Sequence, residues 1–234
     1  MDRSHEIEKL VAAIRQLAPA IVPSTDEAWK QSPALCVIDC VLSLNRNYDK
    51  FVVPRLEEFC RKWPQLESFT QLQTLIKKYT SAHEFTKREL RYNDETRSEV
   101  LTSVVDWVVE ICGRGDIGEQ RRHAEEWAKN SSFGESSPNI KNFGLSGFQY
   151  LRMLFGANTT KPDVHICRFV AKILGRKVSD YQALDLLEQA ATEASVSIRD
   201  LDTTIWEASA RRDSAKPGRI AKRNPPPRCR VINP

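Results

Sequence analysis

The residues best suited to chemistry form the run Asp163-Val164-His165-Ile166-Cys167-Arg168, directly after Pro162. Proline favours an extended residue before it and a sharp helix start after it. An aspartate at a helix start faces the positive end of the macrodipole and free backbone N–H groups, and both favour an ionised carboxylate. Such a group either caps its helix and does nothing more, or stabilises positive charge on a substrate and orients a water. The spacing leaves both readings open. The same holds upstream: Lys141-Asn142-Phe143-Gly144, followed by Ser146 and Gly147, reads as a turn opening a helix. Asn45 and Arg46 read as a polar helix end. The six cysteines, at 36, 40, 60, 112, 167 and 229, contain no C-x-x-C pair and no ligand set at zinc or iron–sulfur spacing. They read as reduced, mostly core cysteines, with no metal site.

Helices must position these residues, because a 3.6-residue apolar period dominates and strand-like alternation is nearly absent. Ile7, Leu10, Val11, Ile14 and Leu17 stripe a first helix that ends before Pro19. Ser24 and Glu27 have capping-box spacing, opening a short helix around Trp29, and Ser32-Pro33 opens an apolar helix. Helices are predicted over about 49–62, 66–79, 94–112 and 118–129, then a turn-rich loop at 130–138. Further helices follow at 146–155 and 163–174, the latter closed by Gly175. Ser179 and Gln182 form a second capping box, with helices to 194 and over 198–210.

Composition narrows the class. The chain is 41% hydrophobic and 28% charged, with net charge +4. Residues 211–234 carry eight Lys/Arg against one Asp, so +7, leaving 27 basic and 30 acidic residues, so −3, for the rest. The body is not a uniformly basic nucleic-acid binder; positive charge is local or in a proline-rich tail that reads as disordered. No apolar run approaches the ~20 residues of a membrane span. The N-terminus lacks a signal-type stretch, which points to a cytoplasmic protein.

The stretch 139–170 resembles the helix-hairpin-helix (HhH-GPD) base-excision DNA glycosylase superfamily. In that family an Asp in an Asp-x-His-(Ile/Val)-x-Arg setting follows the terminal glycine of the hairpin helix by about seven residues. Here Gly156 precedes Asp163 by seven. The run Val41-Leu42-Ser43-Leu44-Asn45 is similar to a second family feature, a helix end that places a polar side chain near DNA. The resemblance covers about 33–210. Two departures stand out. The usual Pro-Gly-Val-Gly turn is here Lys141-Asn142-Phe143-Gly144, and Leu145 occupies the position of the sugar-attacking lysine of bifunctional members.

The resemblance implies an all-α, two-lobed fold. Residues 1–32 would pack on a C-terminal lobe over 161–210, and a central barrel would span 33–160 with the hairpin at about 139–156. The tail would be 211–234. It implies a monomeric, monofunctional glycosylase acting on double-stranded DNA at the nucleoid. Asp163 would be the carboxylate that stabilises the developing sugar cation, in the cleft where the chain crosses between lobes, and His165 would orient the helix start. Asn45 and Arg46 would fill the gap left by the extruded base. Backbone N–H groups around Phe143, Gly144, Ser146 and Gly147, with Lys141, Asn142, Lys161 and Arg152, would hold the phosphates. Trp29, Trp107 and Tyr150 are candidate pocket aromatics, each also a candidate core residue. No cofactor is implied, though a monovalent cation at the hairpin is compatible. The alternative is a non-catalytic DNA-binding or interaction protein on the same fold.

Overall fold

Caps set the helix boundaries in this chain. In the computed structural model, which describes residues 2–21 and 32–214 with side chains as far as residue 209, helix α1 (Arg3–Leu17) stops where Pro19 enters a 3₁₀ turn. Helix α2 (Pro33–Leu42) opens at Ser32, whose hydroxyl accepts the Leu35 N–H at 3.4 Å, and all ten of its residues are buried. A π-turn at Tyr48–Val52 leads into α3 (Val53–Lys62). Next come α4 (Phe69–Ile76), opened by a Ser68/Gln71 capping box, and α5 (Ala82–Glu89), capped by Ser81. Asp94 caps α6 (Glu95–Cys112), and an Asp116/Glu119 capping box opens α7 (Ile117–Asn130). One-turn helix α8 (Phe133–Ser136) precedes α9 (Leu145–Leu154). Asp163 caps α10 (Val164–Leu174), which ends at Gly175 with φ 69°. Ser179 and Gln182 box the start of α11 (Asp180–Glu193), and α12 (Ile198–Ser214) follows. The class is all-α: no strand occurs among the described residues.

Several boundaries differ from the sequence reading. The turn-rich loop contains α8, α5 is an additional helix, and α12 runs to Ser214, so the first four residues assigned to the tail are helical. Residues 137–144 hold no helix, so the arm before the hairpin turn is the single turn of α8. The Ser24/Glu27 box, Trp29 and residues 215–234 lie outside the described residues.

The chain divides into two compact units. One joins α1 to the described residues from Asn158 to Ser214. Its core interleaves Leu10 and Ile14 of α1, Ile166 and Val170 of α10, Leu187 of α11 and Leu201 of α12. Arg176 clamps α1 to this unit by donating to both Glu6 oxygens, at 2.6 and 2.7 Å; these bonds hold the Glu6 carboxyl below its ordinary value. The other unit spans α2 to α9. It packs around Phe59, Phe69, Phe85 and Phe148, with Trp107 and Trp127 edge-to-face at 5.2 Å. No helix among the described residues is long and apolar enough to cross a membrane.

Candidate functional site

Pro162 and Asp163 together set the geometry of the α10 start. The Asp163 N–H donates to Lys161 O at 2.7 Å, closing a tight turn around Pro162, whose ring fixes φ near the value such a turn needs. Asp163 itself is extended (φ −92°, ψ −175°), so its carboxylate swings back over the helix. Oδ1 accepts the N–H of His165 at 2.8 Å and of Ile166 at 3.2 Å. Oδ2 has no hydrogen-bond partner among the described residues, and the residue is half-buried. One oxygen of the carboxylate therefore holds the helix start, and the other is not used by the cap. His165, also half-buried, contributes its backbone N–H to the cap, and Val164 beside it is exposed.

The segment leading to Asp163 is fastened residue by residue. Asn158 Oδ1 accepts from Ser197 Oγ at 3.1 Å and from Arg199 N–H at 3.2 Å. The Thr159 hydroxyl donates to Glu188 of α11 at 2.5 Å. The Thr160 hydroxyl and the Lys161 N–H both donate to Oδ2 of Asp202 on α12, at 2.5 and 3.0 Å. Thr159 and Thr160 are fully enclosed, and Asp202 is partly buried. Burial pushes the Asp202 carboxyl up to about 6; the Thr160 bond opposes the shift and the nearby Asp163 charge adds to it. Cys167, on the same helix, has its thiol raised to about 12 by burial first and then by its bond to Asp180.

The second unit brings the other singled-out residues together. Asn45 ends α2 in the left-handed region (φ 57°), a conformation asparagine tolerates better than most residues. Arg46 beside it pairs with Asp94 at 3.3 Å and lies within 5.9 Å of the Tyr92 ring. Arg97, in the first turn of α6, donates to Asn142 O in the hairpin turn at 3.3 Å. Asp94 and Arg97 thus tie the Asn45-Arg46 corner and the 141–144 turn to one helix end. From below, Gly147 keeps the two segments in contact: a β-carbon there would lie 2.9 Å from Phe143 and 3.2 Å from Leu44. The Cys40 thiol donates to Gly147 O at 3.3 Å across the same packing.

Expectations for Phe143 and Arg152 need correction, while Trp107 and Tyr150 take their core alternative. Phe143 is 3% exposed, so its ring is core, and its N–H is spent on Ile140 O, closing the turn with Asn142 at φ 67°. Gly147 and Leu145 are buried too. Gly144 opens α9 without a side-chain cap. Arg152 is not a surface cation, because it donates to Ala128 O and to Gln149. Trp107 packs against Trp127, Phe143 and Phe148 as core. Tyr150 donates to the buried Asp39 at 3.3 Å. Lys141, Asn142 and Gly144 are exposed, and Ser146 and Lys161 half-buried.

Sequence reasoning missed Asp202, Glu188 and Arg97. Each acts through long-range contacts that leave no local spacing signal. A cavity of about 580 Å³ in the second unit, lined by Trp63, Leu66, Thr70 and Leu75 among others, includes none of the singled-out residues. No group of three or more His, Cys, Asp or Glu is placed to hold a metal among the described residues.

The model of a family described as a domain of unknown function, DUF8548, matches residues 7–210, and the chain belongs to that family. No curated protein and no solved structure matches the chain.

Proposed function

We propose that this member of the DUF8548 family is a monofunctional DNA glycosylase of the helix-hairpin-helix type, working as a monomer on nucleoid DNA in the cytoplasm. It would hydrolyse the N-glycosidic bond of a damaged or mismatched base extruded from the duplex. The observation that carries the reading is the divided carboxylate of Asp163, with Oδ1 locked by two N–H groups and Oδ2 without a partner among the described residues. A carboxylate fixed in this way needs no reorganisation to meet positive charge developing on a deoxyribose. As the C1′–N bond breaks, its electron pair leaves with the base, which takes up a proton. Water adds to C1′, and its proton passes to Oδ2 or to solvent. The adjacency of Asn45, Arg46 and the 141–144 turn supports a DNA-facing surface in the other unit. There, the start of α9, which Gly144 leaves without a side-chain cap, and exposed Lys141 suit a phosphate. Leu145, buried where lyase members carry lysine, supports hydrolysis without a Schiff base.

The short arm before the hairpin and the spent Phe143 N–H favour a second reading, a DNA binder without catalysis. The test is a panel of duplexes carrying deoxyuridine, alkylated purines or oxidised bases, with binding measured on the same preparation. Release from at least one duplex is expected. Salt-sensitive binding with no release from any of them supports the second reading instead.

A further inference from the structure

Asp163 owes its place to the chain before it, and that chain is anchored most closely by one side chain. Thr160 and Lys161, three and two residues ahead of the cap, converge on the same Asp202 oxygen. Pro162 then transmits their position to Asp163 without slack, since its φ is fixed. Asp202 comes from α12, which packs on α10 in the core that holds Ile166, Val170, Leu201 and Ile205. The mechanism above uses Asp163 alone and gives Asp202 no part.

We propose that Asp202 is a positioning residue for Asp163, anchoring the Thr160–Lys161 segment that leads into the cap. This rests on the glycosylase reading only for its consequence in catalysis; the coupling between Asp202 and the segment it anchors belongs to the folded chain alone. The charged groups that act on Asp202 are Asp163, which disfavours its ionisation, and Lys161, which favours it. The nearest neighbouring anchor, Glu188 of α11, is tied to Thr159. Below about pH 6 Asp202 is neutral, and above it ionised. An ionised Asp202 accepts from Thr160 and Lys161 more strongly than a neutral one, so the segment leading to Asp163 is held best above that pH.

The experiment is a carboxyl-carbon NMR titration of the full chain and of Asp202→Asn, a near-isosteric change whose amide oxygen still accepts from Thr160 and Lys161. The wild type should show an Asp202 inflection near 6. In Asp202→Asn that inflection disappears. Thr160→Val, which removes the hydroxyl that favours the ionised form, moves the Asp202 midpoint upward. An Asp202 midpoint unmoved by Thr160→Val overturns the proposal. On a duplex the wild type cleaves, Asp202→Asn should lower kcat roughly tenfold above about pH 7 with KM unchanged, and match wild type below about pH 5. Equal kcat at all pH values refutes the catalytic consequence. Wild-type protein that releases no base defeats the glycosylase reading while the titration still decides the coupling.

Discussion

Replacing Asp163 in two ways separates holding a helix from doing chemistry. Asp163→Ala removes the acceptor for two N–H groups of α10, now at 2.8 and 3.2 Å. Loss of an N-cap acceptor costs about 1 kcal/mol, with about 2 as the upper range. For a chain of this size that lowers Tm by roughly 2–4 °C per kcal/mol. Asp163→Asn keeps an acceptor oxygen and ranks with Asp as a cap, so its cost is a few tenths of a kcal/mol at most. Thermal unfolding followed by circular dichroism measures both. Base release should be lost in both variants, because neither keeps a negative charge. The reasoning fails if Asn destabilises as much as Ala, since Oδ1 would then not be the cap. It also fails if the alanine variant still releases base, since the carboxylate would then serve only the helix.

Three other perturbations have defined outcomes. The folded chain holds the Asp202 proton up to about pH 6, whereas an ordinary aspartate titrates at 3.8. Stability from protonated Asp202 is therefore complete below about pH 4 and lost as pH rises through about 6. The difference in unfolding free energy between wild type and Asp202→Asn should fall across that window by at most about 1.4 kcal/mol per pH unit and be flat above it; a pH-independent difference contradicts the assignment. Glu89 accepts from Lys62, Trp63 and Tyr79, and burial first, then the Glu89 bond, raise the Tyr79 hydroxyl to about 12. Glu89→Gln should return one of the five tyrosines toward 10 in an ultraviolet titration; an unaltered curve would place the cause in burial alone. Gly147→Ala should cost about 1–3 kcal/mol by overpacking against Phe143 and Leu44, and should weaken duplex binding more than any effect on Asp163 predicts. Full binding in that variant would detach the Asn45 corner from the hairpin surface.

Much of the fold was legible because it rests on local signals. The stripe Ile166, Val170, Leu174 and the Ser179/Gln182 box act within a few residues, and both recur as a buried face and a cap. Helix α5 was missed because Phe85 is its only strong apolar anchor in a run otherwise polar, and α8 because one turn has no period to detect. The cap role of Asp163 follows from Pro162 and the helix it opens. The partners that hold it could not be read, since Asp202 and Glu188 lie 39 and 25 residues away on helices whose exposed faces look alike in sequence. Phe143 shows the converse limit: its place in a turn suggested a DNA-facing residue, but Trp107 and Gly147 offer it a core site.

The central claim is that the Asp163 oxygen not used by the cap carries the chemistry. Its most direct measure is the single-turnover rate of base release by Asp163→Asn against wild type, on a duplex both bind equally. The account predicts a loss of at least about a hundredfold, the scale of removing one fixed electrostatic group from a transition state. Equal rates with equal binding would contradict it.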